Sequence, residues 1–198
     1  MELLGGGGLS RRVNIELEEP VSWIAGLAAV TFAWGGLSVL NPQFYISPSF
    51  IAVLAGFVLH EAAHKIVAIR MGMKSEFVAY GPGLLVTFLS GIIPFIVVLA
   101  PGYVRSVYTG WTSPKGFFYS VVAGPSTNIL LALASLFLLQ ASPPLELARY
   151  LSAMVEVNAW FAFFNLLPIS PLDGSKILRA SPTVWAAMFI VSAVLVVS

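Results

Sequence analysis

The amino-acid sequence predicts an all-α polytopic membrane protein, and its composition is the first reason. Of the 198 residues, 58% are hydrophobic and only 10% are charged, whereas a soluble domain carries about 25% charged residues. The mean hydropathy is +0.91. A chain this apolar has too little polar surface to cover a water-soluble globule, so we expect it to lie in a lipid bilayer.

Long apolar runs separated by helix breakers are the second reason, and they predict about five to six transmembrane helices. A cytoplasmic tail over residues 1–20 contains an alternating stretch at 13–18 that predicts a short strand. A single membrane domain over residues 21–198 follows. Its predicted apolar helices cover residues 21–40, 48–71, 117–139, 147–167 and 183–197. The last of these is short for a hydrocarbon core about 30 Å thick.

The apolar run over residues 84–100 either crosses the membrane or dips in and returns. Gly91 and Pro94 interrupt it, which suits a turn at depth. If the run returns, every lysine and arginine except Arg149 lies on one side, as expected for a cytoplasmic face. We therefore predict five crossings, a small membrane-dipping β-hairpin after the second helix, and a cytoplasmic amino terminus.

The chain contains two histidines, His60 and His64, and both fall in the second apolar helix. Residues four apart lie on the same face of a helix, so the two imidazoles point the same way. That spacing suits two ligands of one zinc ion, and Glu61 can reach a water held there. The alternative is a buried, hydrogen-bonded histidine pair, but ionisable residues inside a span are costly and usually functional.

A catalytic zinc ion needs a third protein ligand, and the chain has no cysteine and no further histidine. The third ligand must therefore be an acid. Asp173 comes at the end of a proline-broken stretch, over residues 168–174, that cannot form a regular helix. Glu156 is the rival candidate, although it could instead pair with Arg149, two helical turns earlier.

The charge balance limits the partners that the sequence predicts. The net charge is +1, so no basic field indicates a nucleic acid. The apolar composition makes the lipid bilayer the expected surrounding. The sequence does not indicate an oligomeric state.

Three short motifs, occurring in this order, carry a resemblance to a known family. They are HEAAH over residues 60–64, GPSTN over residues 124–128 and NLLPISPLDG over residues 165–174. With them, the chain resembles the site-2 protease family of intramembrane metalloproteases, peptidase family M50, over roughly residues 48–179. Three spaced motifs are far more specific than the zinc motif alone.

The resemblance implies a metal site and a reaction. It implies that His60, His64 and Asp173 bind Zn²⁺. It further implies that Glu61 is the general base in the hydrolysis of peptide bonds. The family pattern has a second glycine where this chain has Ser175, a departure that we do not expect to affect metal binding.

The resemblance also implies a substrate cleft and a location. Asn165 and Asn128 are expected to line the cleft, where an amide can hold the substrate backbone or a developing oxyanion. For Asn128 an interhelical hydrogen bond is an equally good interpretation. The expected substrate is a transmembrane protein or peptide, cut in regulated intramembrane proteolysis. The expected location is the plasma membrane of a prokaryote.

Three other functions compete with this hypothesis. A catalytically inactive zinc-binding membrane protein would have no need of Glu61 beside the metal. An intramembrane serine protease would need a histidine to activate its serine, and both histidines already have zinc-ligand spacing. A metalloprotease of the prenyl-protein-processing kind shares the histidine motif, but it would not explain the segment that contains Asp173.

Overall fold

The computed structural model describes residues 17–93, 97–108 and 114–197, and within these ranges the chain is mainly helical. The helices are α1 (Glu19–Gly35), α2 (Pro48–Arg70), α3 (Gly81–Ser90), α4 (Pro114–Leu139), α5 (Leu145–Asn165), α6 (Asp173–Ala180) and α7 (Pro182–Val197). The strands are β1 (Met73–Ala79) and β2 (Gly102–Tyr108). The strand predicted at residues 13–18 lies almost entirely outside the described residues.

Three helices in the described ranges are long and apolar enough to cross a membrane: α1 with the 3-10 turn after it, α2 and α4. At 1.5 Å per residue each exceeds the hydrocarbon core of about 30 Å. α5 has 21 residues but carries Glu146, Arg149 and Glu156, and α7 has only 16 residues. The chain is an integral membrane protein, and the five to six crossings stay a prediction.

α2 begins at a polar cap followed by a proline. Ser47 Oγ accepts a hydrogen bond from Phe50 N at 3.2 Å, and Pro48 occupies the first turn, where its missing N–H costs nothing. The helix then continues for 23 residues. His60 and His64 consequently lie near the middle of this helix.

The bundle is organised around α2, α4 and α5, which pack against one another. One apolar cluster joins α1, α2, β1 and α5 and includes Val30, Val53, Phe57, Phe77, Val157 and Phe161. A second joins α4, α5, α6 and α7 and includes Val121, Ile129, Ala162, Ile177 and Leu195. Both clusters use α5, so this helix is held on two sides.

β1 and β2 form an antiparallel two-stranded sheet in which Ala79 lies opposite Gly102. The segment between them therefore leaves and returns at one place, where Tyr80 N donates to Pro101 O at 3.0 Å. Its helix α3 has ten residues and spans about 15 Å, half the hydrocarbon core. The two ends of the segment therefore meet, and its return to the same side of the membrane stays a prediction.

Two details of the predicted hairpin need correction. The part of the hairpin that follows β1 is the helix α3 and not an extended strand. The sequence could not distinguish the two, because a short apolar run is compatible with either structure. The returning end of the segment is the strand β2, which lies after the apolar run over residues 84–100 and not within it. The sheet is thus formed by the two ends of the re-entrant segment and not by its membrane-dipping part.

Hydroxyl groups of α3 satisfy the backbone of the returning arm. Ser90 Oγ accepts a hydrogen bond from Val98 N at 3.1 Å, and Thr87 Oγ1 accepts one from Ala100 N at 3.0 Å. Thr87 and Ser90 are both buried. Non-helical backbone survives in a membrane only where protein groups pair with it, so these contacts allow the arm to lie beside α3.

Glu19, the first residue of α1, ties the sheet to the helix that carries the histidines. Its carboxylate accepts hydrogen bonds from Phe77 N at 3.1 Å and from Trp23 Nε1 at 3.2 Å. It also forms an ion pair with Lys65 of α2. Because Phe77 uses the edge of β1 that faces away from β2, this contact fixes β1 against α1 and α2.

The re-entrant path makes a prediction about sidedness that cysteine labelling can check. The natural chain has no cysteine, so Lys74→Cys, Lys115→Cys and Ser142→Cys each introduce one reactive thiol. We expect the thiols at positions 74 and 115 to react with a membrane-impermeant reagent from the same side, and that at 142 from the other. Reaction of positions 74 and 115 from opposite sides would mean that residues 84–100 cross the membrane.

Candidate metal centre

Three buried side chains with ligand atoms meet between α2 and α6. His64 Nε2 lies 3.0 Å from His60 Nε2 and 2.9 Å from Asp173 Oδ2, and His60 Nε2 lies 3.5 Å from the same carboxylate oxygen. The three residues are 4–8% exposed. Among the described residues this is the one cluster of three that could hold a metal ion.

A backbone carbonyl of α4 sets the tautomer of His64. His64 Nδ1 lies 2.7 Å from Ser120 O, and a carbonyl oxygen can only accept, so Nδ1 carries a proton. In the neutral imidazole that a metal binds, Nε2 is then a bare acceptor. Ser120 Oγ donates in return to His64 O at 2.9 Å. The reciprocal pair of hydrogen bonds fixes the orientation of the ring.

The side chain of Asn128 sets the tautomer of His60. Its Nδ2 donates to Gly56 O at 3.1 Å and to Asn158 Oδ1 at 2.8 Å, so its Oδ1 must be the atom that accepts from His60 Nδ1. The Nε2 of His60 is therefore bare as well. Both asparagines are fully buried, and α5 thus supports α4, which orients the histidine on α2.

The three ligand atoms are consequently all acceptors that face one another. With both imidazoles neutral and both Nδ1 atoms protonated, three atoms that carry lone pairs face one another, and a cation among them would offset their repulsion. Their separations of 2.9–3.5 Å match the roughly 3.3 Å between ligands of a tetrahedral ion with bonds of about 2.0 Å. The three residues therefore fit a zinc site.

Gly124 leaves the space in which the two imidazoles lie. A Cβ at this position would be 2.7 Å from His60 Nε2 and would overlap His64 Nε2. The backbone of α4 thus closes one side of the cluster, and only glycine fits. Ser120, Gly124 and Asn128 are spaced by four residues and form one face of α4 against the histidines.

The non-helical stretch after α5 presents Asp173. The sequence predicts irregular backbone through Gly174, whereas α6 begins at Asp173 itself. Gly174 packs so closely that a Cβ would overlap Leu166 O, which holds the start of α6 against the end of α5. Ser175 Oγ donates to Leu172 O at 2.8 Å, so the hydroxyl at the predicted second-glycine position is satisfied.

A cavity of about 310 Å³ opens beside the cluster. Its lining includes His60, Glu61, His64, Asn165, Asp173, Lys176 and part of β2. Glu61 is buried and lies outside the ligand cluster. Asn165 Nδ2 donates to Phe161 O at 2.9 Å. Asn128 does not line the cavity; its contacts are those of the interhelical hydrogen bond that the sequence left as an alternative.

Glu156, the rival acid, lies elsewhere. It is exposed on α5 and does not belong to the ligand cluster. Nor does it pair with Arg149, whose guanidinium lies 3.3 Å from Glu146 Oε1. Of the two acids that the sequence left open, the structure brings Asp173 alone to the histidines.

Three residues beside the cluster were not predicted from the sequence: Ser120, Asn158 and Lys176. Helical spacing could have indicated the first two. Ser120 lies four residues before the glycine of the GPSTN motif, and Asn158 lies seven residues, two turns, before Asn165. Lys176, one turn after Asp173, had no such signal, because a lysine at a helix surface is ordinary.

The fold and the cluster together define a membrane protein with an internal metal site of the metalloprotease kind. Comparison with known proteins agrees, since the family model described as peptidase family M50 matches residues 48–145. A relative named "Putative zinc metalloprotease MJ0611" from Methanocaldococcus jannaschii is 35% identical over 178 residues, covering 89% of this chain and 88% of its own. The chain belongs to peptidase family M50.

Two further relatives carry similar names. "Putative zinc metalloprotease YwhC" from Bacillus subtilis is 30% identical, over 65% of this chain and 66% of its own. "Zinc metalloprotease MJ0392" from Methanocaldococcus jannaschii is 25% identical over 87% of this chain, which spans only 44% of that longer relative. No solved structure matches the chain.

Proposed function

We propose that this protein is an intramembrane zinc metalloprotease of the site-2 type, which hydrolyses peptide bonds of membrane-spanning substrates. The observation that carries the proposal is the convergence of three acceptor atoms, two of them bare because of fixed histidine tautomers, at one buried point. The membership of family M50 and the names of the relatives support zinc as the ion. His60, His64 and Asp173 would hold it.

Zinc bound there would supply a Lewis acid that polarises a carbonyl and lowers the pKa of a water to about 7. Glu61 is the residue suited to receive the proton of that water. Its carboxylate is buried, faces the same cavity and is free of the ligand cluster. In this mechanism Glu61 acts as general base and then returns the proton to the leaving amine.

The two asparagines have different roles in the proposal. Asn165 lines the cavity, where its amide oxygen can accept a hydrogen bond from the backbone of a bound peptide. Asn128 is buried against His60 and Asn158, so we assign it to orienting His60. A direct contact of Asn128 with substrate stays a prediction from the family resemblance.

The arrangement in the membrane is also part of the proposal. We infer five crossings, by α1, α2, α4, α5 and α7, with the re-entrant segment and the amino terminus on the cytoplasmic side of a prokaryotic plasma membrane. The gathering of lysines and arginines at that side supports the orientation. The depth of the histidines near the middle of α2 supports a substrate that is itself in the membrane.

Cleavage of a model transmembrane peptide by the purified protein tests the function. We expect cleavage within or at the edge of the apolar stretch, loss of cleavage with a zinc chelator, and recovery when Zn²⁺ is added back. A soluble peptide of the same flanking sequence, without the apolar stretch, serves as the control and should remain intact. If zinc-loaded, folded protein cleaved none of a set of transmembrane peptides, the alternative of an inactive zinc-binding protein would replace this one.

A further inference from the structure

Lys176 contacts the one carboxylate oxygen of the cluster that does not face the histidines. Its Nζ lies 3.0 Å from Asp173 Oδ1, while Oδ2 of the same carboxylate lies 2.9 Å from His64 Nε2. The two oxygens of Asp173 thus have separate partners. The reaction proposed above assigns no role to Lys176, although this lysine contacts one of those two oxygens.

The lysine is held in place by the helix that carries both residues. Lys176 follows Asp173 by three residues on α6, which is one turn, and the neighbouring Ile177 is completely buried in the core. The side chain of Lys176 is 37% exposed, against 11% for Asp173. Lys176 is thus partly exposed and lines the cavity, whereas the carboxylate that it contacts is buried.

Lys176 is also the cation available to this carboxylate. Of the described residues that line the cavity, the other basic side chain is Arg105, which is engaged with Glu76 at 2.5–2.9 Å. Both Glu61 and Asp173 are buried beside the same cavity. An ammonium held against Asp173 partly compensates the charge of two neighbouring carboxylates.

A carboxylate ligand that turns about its terminal bond can offer one oxygen to a metal or both. With both oxygens of Asp173 bound beside two imidazoles, a reacting water would be a fifth ligand, whereas a catalytic zinc site typically has three protein ligand atoms and the water in the fourth position. A hydrogen bond to one oxygen keeps it away from the ion. Such outer partners of metal ligands orient them and raise affinity.

We propose that Lys176 is a positioning residue that holds Asp173 Oδ1, so that Oδ2 alone binds the metal and one coordination position stays open. The inference rests on the proposed function, because it assumes that the cluster binds zinc. It adds to the site a residue that acts through Asp173 and touches neither metal nor substrate.

The test compares Lys176→Met with Lys176→Arg, which keeps a cation and a donor. Arg179→Met is the matched control, because Arg179 is exposed on the same helix. Zinc affinity is measured by chelator competition in detergent without substrate, and the visible absorption of the Co²⁺-loaded protein reports the coordination number. The thermal unfolding of the metal-free protein confirms that each variant is folded, and Lys176→Gln replaces any variant that is not.

We expect Lys176→Met to weaken zinc affinity about 10–100-fold. Its Co²⁺ absorption should also fall, because a carboxylate that binds through both oxygens raises the coordination number. At saturating zinc, kcat should drop while KM stays near that of the wild type. Lys176→Arg should recover most of each property, and Arg179→Met should match the wild type.

Wild-type zinc affinity and an unchanged Co²⁺ spectrum in folded Lys176→Met would overturn the proposal. Equal losses in Lys176→Arg and Lys176→Met would do the same, since they would indicate a role in packing. The metal readouts need no substrate. A wild-type protein that binds zinc but cleaves nothing would therefore refute the proposed protease and still leave the role of Lys176 decided.

Discussion

Asp173→Asn is expected to lose most of its bound zinc, and its proteolytic activity with it. The change replaces the carboxylate oxygen that lies 2.9 Å from His64 Nε2 by a neutral amide, a much poorer zinc ligand, and it removes the partner of Lys176. We expect zinc affinity to fall by more than the roughly 10–100-fold that the loss of an outer partner costs. Elemental analysis of the purified variant, beside chelator competition, measures the loss.

Glu156→Gln is the matched control for that experiment. It makes the same chemical change at the acid that the sequence offered as rival ligand, but Glu156 is exposed and distant from the cluster. It should retain the zinc content of the wild type. Normal zinc affinity in Asp173→Asn would contradict the ligand set, and zinc loss in Glu156→Gln would point to that acid instead.

Glu61→Gln is expected to keep its zinc and lose nearly all of its activity. Glutamine has the shape and reach of glutamate but cannot take a proton at neutral pH. Because Glu61 lies outside the ligand cluster, neither the metal nor the fold should change. General-base catalysis is typically worth about 10²–10⁴-fold, so kcat should fall by that factor, as initial rates of peptide cleavage will measure.

A second glutamate provides the control for Glu61→Gln. Glu146 is exposed at the start of α5, where its contact with Arg149 is an exposed ion pair of little energetic value. Glu146→Gln should cleave the transmembrane peptide at the wild-type rate. Equal losses in both variants would indicate a general effect of removing acidic charge and not the removal of a base.

The sequence predicted the spanning helices well because their signal is local. Uninterrupted apolar runs bounded by proline and polar caps define α1, α2 and α4, and the predicted helix at residues 48–71 corresponds to α2 at Pro48–Arg70. The histidine pair was predictable for the same reason, since four-residue spacing on one helix fixes a common face. The charges also predict the side to which the segment over residues 84–100 returns, and that side stays a prediction.

The secondary structure of the segment between β1 and β2, and of β2 itself, was harder to predict, because it depends on residues distant in the sequence. β2 is a strand because its residues pair with those of β1, where Val104 lies opposite Phe77. No pattern within residues 102–108 reveals that partner. The apolar residues of α3 fit helix or strand equally. What selects the helix is the pairing of Thr87 and Ser90 with the returning arm.

The residues that orient the two histidines could not be predicted from the sequence for a similar reason. Ser120 and Asn128 face His64 and His60 only because α4 packs against α2. The two pairs are 56 and 68 residues apart in the chain. Motif recognition gave Asn128 two possible roles, and the contacts favour the one between helices. Asp173 could be preferred to Glu156 on backbone irregularity, but its distance to the histidines required the fold.

Zinc content and cleavage rate, measured on one preparation of Glu61→Gln, show whether the metal site and the proton acceptor are separate groups in one cavity. If they are separate, we expect about one zinc ion per chain, equal to the wild type, and cleavage of the transmembrane peptide reduced by about 10²–10⁴-fold. Cleavage at the wild-type rate by the zinc-loaded variant would contradict the role of Glu61 as general base.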